Sequence, residues 1–150
     1  EQTPPTRIMN YERRQYGKAF LVMAFVILVL VTGVLAAMGD MLPAMSVSAM
    51  LVILMACFSW LTVSVQREGI KLSFGIGLVR RTIPYERIVS TTIVRNKWWY
   101  GWGIRLSPHG WMWNLSGLDA VELLYEDGKA FRIGTDDPKG LKRAIDVMLD

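Results

Sequence analysis

Two long apolar segments constrain this chain more than any other feature of its sequence. Ala19–Met38 holds 20 residues without a charged side chain, and Ala44–Val65 holds 22 more. An α-helix rises about 1.5 Å per residue and the hydrocarbon core of a bilayer is about 30 Å thick, so each segment is long enough to cross a membrane. The sequence therefore predicts an N-terminal tail (residues 1–18), a transmembrane hairpin (residues 19–65) and one small domain (residues 66–150).

The composition fits a small membrane protein and weighs against a nucleic-acid-binding one. Hydrophobic residues make up 52% of the 150 residues, which excludes a disordered chain. Residues 67–105 hold eight Lys or Arg against two Glu, whereas residues 106–150 hold five against eight Asp or Glu. Because the basic half adjoins the apolar segments, anionic phospholipids are its nearest counter-charge, and nucleic acid is not an expected partner.

The distribution of basic residues predicts the orientation of the hairpin. Arg7, Arg13, Arg14 and Lys18 precede the first apolar segment, whereas the loop Gly39–Pro43 between the segments has neither Lys nor Arg. By the positive-inside rule, both termini face the cytoplasm. The first segment is longer than the apolar region of a signal peptide, about 7–15 residues, so we expect a retained anchor.

Small residues recur along both apolar segments. Gly33 and Ala37 are four residues apart in the first segment, and Ala49, Ala56 and Ser59 fall near one face of the second. Small side chains let helices approach closely, which favours tight packing within the hairpin. Ala and Gly are also common in membrane spans for reasons of composition alone.

Residue types that serve catalysis or metal binding are scarce in this sequence. Cys57 is the only cysteine and His109 the only histidine, so neither has a second such residue with which to hold a metal ion. The apolar segments contain no His, Asp, Glu, Lys or Arg. By themselves they therefore supply neither a path for ions nor an axial histidine ligand for haem. We expect no enzymatic activity, no cofactor and no metal site.

Beyond Gln66 the continuous apolar pattern gives way to alternation, which is typical of β-strands. Six or seven strands are expected, at Ile70–Phe74, Leu78–Ile83, Ile88–Val94, Gly103–Ser107, Trp111–Leu115, Val121–Tyr125 and Phe131–Ile133. The Asp127-Gly128 pair is typical of a type I′ hairpin turn. A final helix is expected after Asp137, which can cap it. Its apolar face recurs at i, i+3, i+4 and i+7, as Leu141, Ala144, Ile145 and Met148.

This order of strands and helix resembles the bacterial pleckstrin-homology-like (PH-like) domains carried by small two-span membrane proteins. The resemblance covers Gly69–Asp150 and rests on Glu68–Ile70, Ile83–Ile88 and Leu123–Leu141, which includes Arg132–Pro138. It implies a small α+β domain, a seven-stranded bent β-barrel with a C-terminal capping helix. It also implies a non-catalytic protein of the bacterial inner membrane.

Basic residues on the first two expected strands of this domain are candidates for binding an anionic headgroup. Some PH-family relatives bind phosphoinositide-like headgroups with an R-x-R motif, whereas this chain has Lys71 followed by the adjacent Arg80 and Arg81. Adjacent residues on a strand point to opposite faces, so only one arginine can join Lys71 at a phosphate. The simpler alternative is a basic strand without a specific site, attracted to anionic lipid by about 1 kcal/mol per charge.

An aromatic stretch within residues 95–105 is the second candidate site. Four large aromatic residues fall within five positions, and because a strand alternates its side chains between two faces, some must lie on the surface. We expect this stretch to dock on the membrane interface or on a neighbouring subunit, with its rings as anchors. The candidate docking residues are Arg95, Lys97, Trp98, Trp99, Tyr100, Trp102 and Arg105. The simpler alternative is that Trp98 or Trp102 fills the core.

Two functions are compatible with these patterns. The first is a structural or accessory subunit, or an assembly factor, of a larger inner-membrane complex, whose other integral membrane subunits would be its partners. The alternative is a stand-alone membrane-surface binder, whose domain recognises anionic lipid headgroups or a peptide.

The predicted orientation can be tested by cysteine labelling in intact cells, with Cys57 replaced by alanine. A membrane-impermeant thiol reagent should label Asp40→Cys, because the inter-segment loop faces away from the cytoplasm. Asp136→Cys should stay unlabelled until the cells are opened. Labelling of Asp136→Cys in intact cells would show that the orientation is wrong.

Overall fold

The computed structural model describes residues 10–150, as a helical hairpin joined to a sheet-rich domain with a C-terminal helix. The elements in chain order are β1 (Tyr11–Tyr16), α1 (Lys18–Ala37), α2 (Met41–Phe58), β2 (Trp60–Gln66), β3 (Gly69–Phe74), β4 (Val79–Ile83), β5 (Ile88–Arg95), β6 (Gly103–Ser107), β7 (Gly110–Asn114), β8 (Asp119–Tyr125), β9 (Ala130–Gly134) and α3 (Pro138–Leu149). Two 3₁₀ turns, at Tyr85–Arg87 and Trp98–Tyr100, interrupt the strands.

The two helices of the hairpin are long and apolar enough to cross a bilayer, with mean hydropathies of 2.9 and 2.2. No residue of α1 is buried, and only Ala44 and Cys57 of α2 are. A helix that is apolar on all sides and uncovered by protein suits lipid better than water. These helices are therefore not the buried core of a soluble domain.

A polar contact joins the two helices of the hairpin, whereas two of the small residues that the sequence favours do not pack tightly. Thr32 Oγ1 and Ser48 Oγ, one on each helix, share a hydrogen bond of 2.6 Å. Gly33 and Ala37 are exposed, and a Cβ added at Gly33 would meet no heavy atom within 4 Å. Gly33 borders an open cavity with Ser48 and Val52 of α2, so the two helices make no close contact at this glycine.

Strand β2 corrects the expected end of the second membrane segment. The helix ends at Phe58, and the rest of the apolar run up to Val65 is a strand that pairs with β1 and β3. The side chains of Leu61, Val63 and Val65 are at most 1% exposed. A continuous apolar run does not distinguish a membrane helix from a buried strand, which is why the sequence pattern joined the two.

Strand β1 corrects the expected N-terminal tail. Tyr11–Tyr16 pairs antiparallel with β2, and Tyr16 lies opposite Trp60. Its basic residues lie on exposed positions, whereas Gln15 is buried and donates a hydrogen bond to the Gly134 carbonyl. Arg7, the first basic residue of the predicted tail, lies outside the described residues.

The strands form two open sheets, so the expectation of a closed barrel is wrong. The order of the first sheet is β1-β2-β3-β4, and that of the second is β5-β8-β9-β7-β6. Between β4 and β5, Pro84 has no amide proton for a strand ladder, and the 3₁₀ turn Tyr85–Arg87 redirects the chain. The two strands therefore enter different sheets.

Both sheets and α3 share one hydrophobic core. The sheets contribute Leu61, Val63, Leu72, Phe74, Trp113, Val121, Leu123, Phe131 and Ile133, among others. From α3 come Leu141, Ala144 and Ile145, each 0% exposed. Asp137 caps this helix, because its Oδ1 accepts a hydrogen bond from the Gly140 amide at 3.0 Å. The expected C-terminal helix, its cap and its buried face are thus confirmed.

Ile145→Asp should destabilise the sheet domain by several kcal/mol, because it places an unpaired carboxylate in the shared core. The free energy of unfolding can be measured on the full chain in mild detergent, with tryptophan fluorescence as the signal. Val147→Asp is the matched control, since Val147 lies on the same helix and is 39% exposed. Similar melting of both variants would contradict the packing of α3.

Candidate functional site

Three basic residues meet on the outer face of the first sheet, in what we call the basic groove. In one cross-strand row, Arg14 lies opposite Thr62, Thr62 opposite Ser73, and Ser73 opposite Arg80. Lys71 lies one row further along the same face. The groove has a volume of about 430 Å³ and is also lined by hydroxyl groups. Cations and hydroxyls arranged in this way are suited to a phosphate group.

The two adjacent arginines of β4 separate as strand geometry requires. Arg80 is exposed on the groove side. Arg81 borders the groove, but its guanidinium carbon lies 4.7 Å from the Phe131 ring centroid, on the core side of the sheet. Burial raises the pKa of the nearby Tyr125, and the positive charge of Arg81 opposes that rise. Of the three headgroup candidates, the structure thus brings Lys71 and Arg80 together and turns Arg81 away.

The three cations of the basic groove differ in the contacts that they already make within the protein. Lys71 Nζ is paired with Glu68 Oε2 at 3.0 Å, an exposed contact that contributes little and can exchange for another anion. Arg80 donates to the Gly77 carbonyl through Nε. Arg14 has its guanidinium carbon 5.6 Å from the Trp60 ring centroid. This arginine was not among the sequence candidates, because its strand had been read as a tail.

The basic groove lies near the end of the domain from which the helices emerge. The turn after β3 packs against the last turn of α2, and a Cβ added at Gly75, which has φ +48°, would lie 2.2 Å from the Cys57 carbonyl oxygen. The Arg14–Arg80 row is two strand residues beyond Trp60, a distance of at most about 7 Å. Counted from Phe58, where α2 ends, Thr62 of this row is four residues further on, a distance of at most about 14 Å.

The aromatic loop, residues 97–102, is exposed. Trp98 is 71% exposed, Trp99 60% and Trp102 44%, and Tyr100 is half-buried. Lys97 Nζ lies 5.0 Å from the Trp99 ring centroid. The alternative that Trp98 or Trp102 fills the core is therefore wrong.

Buried polar residues fix the start of the aromatic loop. Asn96 is 3% exposed, and its Oδ1 accepts a hydrogen bond from Arg132 Nη1 at 3.0 Å. Arg132 also pairs with Glu122, at 2.7 Å between Nε and Oε2. Arg95, another docking candidate, lies beside this cluster with Nη1 3.8 Å from Asp119 Oδ1. Since Asn96 directly precedes the loop, these contacts hold the loop in position.

The other end of the aromatic loop reaches the base of the helical hairpin. Trp102 and Arg105 line a cleft with Ala19 and Phe20 of α1 and with Phe58 of α2. This end of the loop and the basic groove therefore both lie near the part of the domain from which the helices emerge. The sequence predicted an exposed aromatic stretch, but it did not predict that one end of this stretch lies beside the helical hairpin.

The remaining polar residues show no catalytic arrangement in the part of the chain that the structure describes. Residues 10–150 contain no group of three or more His, Cys, Asp or Glu placed to hold a metal ion. His109 is exposed in the turn between β6 and β7, and its amide donates to Ser107 Oγ at 3.3 Å. The expectation of a non-catalytic protein remains a prediction.

Comparison with known proteins does not place this chain in a family. No protein-family model, curated protein or solved structure matches it. The resemblance to PH-like domains therefore rests on the sequence motifs alone and remains a prediction.

Trp98→Ala and Trp99→Ala should each change the free energy of unfolding by less than about 0.5 kcal/mol, because exposed side chains pack against little. Trp113→Ala, at a position 5% exposed, should cost about 3–5 kcal/mol in the same measurement. Thermal or urea unfolding of the full chain in detergent provides the comparison. Equal losses for all three variants would contradict an exposed loop.

Proposed function

We propose that this protein is a non-catalytic membrane-surface binder, anchored by its helical hairpin, whose domain recognises anionic phospholipid headgroups. The domain lies against the bilayer from which its own helices emerge. We further propose that the membrane is the bacterial inner membrane, with both termini in the cytoplasm, where the anionic surface is found.

The observation that carries this proposal is the position of the basic groove. Arg14 and Arg80 lie in a row that is four residues beyond the end of α2, and the groove opens on the outer face of the sheet. Beside it, Ile76 and Leu78 are 59% and 73% exposed at the turn that packs against the same helix end. Exposed apolar residues next to cations are typical of surfaces that contact a bilayer interface.

The aromatic loop supports the same placement. Its Trp102 is 44% exposed and lies beside the first turn of α1, where a bilayer would change from hydrocarbon to headgroup. Trp and Tyr are enriched at that depth, because each combines a large apolar body with a polar group that stays hydrated. A loop pointing away from the helices would instead have favoured a soluble partner.

A second candidate function is that of an accessory subunit in a larger membrane complex. It is favoured by the exposure of Gly33 and Ala37, two small residues four positions apart on α1. Small residues at this spacing let another transmembrane helix approach closely. Purification from the native membrane in mild detergent separates the two candidates, since only the second predicts a stoichiometric integral membrane partner.

The lipid preference of the basic groove can be measured with a fluorescent probe on Leu78→Cys, in a full-length chain that carries Cys57→Ala. The protein in zwitterionic detergent is titrated with soluble short-chain phosphatidylglycerol or with the matching phosphatidylcholine. We expect the phosphatidylglycerol to bind more tightly. Arg14→Gln combined with Arg80→Gln should reduce that preference roughly 30-fold, since each cation contributes about 1 kcal/mol.

The matched control removes the same net charge elsewhere. Lys139→Gln combined with Arg143→Gln changes two exposed cations of α3, outside the groove. This pair should leave the preference nearly unchanged. If both double variants reduced the preference equally, attraction would depend on net charge alone and the proposed groove would be wrong.

A further inference from the structure

A cleft separates the base of the helical hairpin from the domain. Its volume is about 440 Å³, within the range of small-ligand sites. Its wall is formed by Ala19, Phe20 and Met23 of α1, Phe58 of α2, and Trp102. The cleft is distinct from the basic groove, which lies on the outer face of the first sheet.

The floor of the cleft is rigid and apolar. Phe58 packs against Phe74 with ring centroids 5.7 Å apart, and Phe74 packs in turn against the buried Trp113 at 5.2 Å. Because Phe74 belongs to the shared core, this floor is fixed by the fold of the domain. A preformed apolar surface binds a hydrocarbon chain without first having to be ordered.

One charged side chain stands at the edge of this apolar cleft. Among residues 10–150, Arg105 is the only charged residue that lines it. Its Nε donates to the Trp102 carbonyl at 3.1 Å, which orients the guanidinium group. The other nitrogens of Arg105 have no hydrogen bond to residues 10–150. The cleft therefore combines a hydrocarbon-compatible interior with a cation available to an anion.

The position of the cleft indicates which amphiphile can reach it. Met23 lies five residues beyond Lys18, or about 8 Å along α1, and is 57% exposed. A cleft lined by the first turns of a membrane-crossing helix opens where acyl chains meet headgroups. Lipids of the surrounding bilayer supply both an apolar chain and an anionic phosphate at that depth.

We propose that this cleft binds one acyl chain of an anionic phospholipid from the surrounding bilayer, with the lipid phosphate on Arg105. The inference shares with the proposed function the need for α1 to lie in the membrane, but it does not depend on the basic groove. Arg105 thereby acquires a role separate from that of the aromatic anchors in the neighbouring loop.

Photo-crosslinking in lipid nanodiscs tests the chain-binding part of this proposal. The full-length protein is incorporated with a phospholipid that carries a diazirine in its acyl chain, and labelled residues are mapped by mass spectrometry. We expect labelling to concentrate on Met23, Phe58 and Trp102. Labelling spread evenly around the lipid-facing sides of α1 and α2 would overturn the proposal.

A variant that fills the cleft provides the specific control. Ala19→Trp should reduce labelling of Phe58 and Trp102 several-fold, because the indole would occupy the cleft. Val22→Trp introduces the same side chain on the same helix, at a position 65% exposed that does not line the cleft, and should leave the labelling intact. An equal effect of both variants would overturn the proposal. If Ala19→Trp does not fold, as judged by circular dichroism, Met23→Trp replaces it with the same expected result.

The headgroup part of the proposal is tested by competition. Unlabelled phosphatidylglycerol should displace the photoreactive lipid from the cleft better than phosphatidylcholine does, and Arg105→Gln should remove that difference. Arg14→Gln with Arg80→Gln should leave it unchanged, so failure here is distinguishable from failure of the basic groove. Equal competition by the two lipids in the unaltered protein would show that Arg105 does not hold the phosphate.

Discussion

The pairing of β1 with β2 is the interaction on which the rest of the structure depends. β1 leads directly into α1 and β2 follows directly from α2, so their ladder joins the two outer ends of the helical hairpin. The Gly17 amide extends this ladder by donating to the Ser59 carbonyl at 3.0 Å. Because strands continue into helices without a flexible linker, the sheet is held in a fixed position relative to the helix ends.

The sequence predicted the elements whose signal is local. The charge-free runs indicated both helices, the Asp-Gly pair indicated the β8–β9 hairpin, and Asp137 with the spacing of Leu141 and Ile145 indicated α3. Each of these signals reports periodicity or capping within a few residues. The aromatic loop was also predictable as a surface feature, since Trp98, Trp99 and Trp102 are too close together for all to be buried.

The sequence patterns did not predict which strands pair when they are far apart in the chain. Arg14 and Thr62 are neighbours only because a hairpin of two helices returns the chain, and no local pattern marks that register. The apolar side chains of β2 resemble those of α2 in hydropathy, so the sequence pattern did not predict that the helix ends at Phe58. The closed barrel failed for a related reason, because strand order alone does not determine whether the outer strands of a sheet meet.

Anchoring by the helical hairpin changes the effect of weak contacts between the domain and a membrane surface. In the proposed function, α1 and α2 keep the domain at a high effective concentration near the bilayer, so a contribution of about 1 kcal/mol per cation would orient the domain without having to recruit it. The basic groove is built on β1–β4, whereas the aromatic loop belongs to the second sheet. Under this proposal each sheet supplies one contact with the membrane surface. A domain held at the helix ends and at one contact from each sheet could neither roll nor lift from that surface without breaking at least one of them.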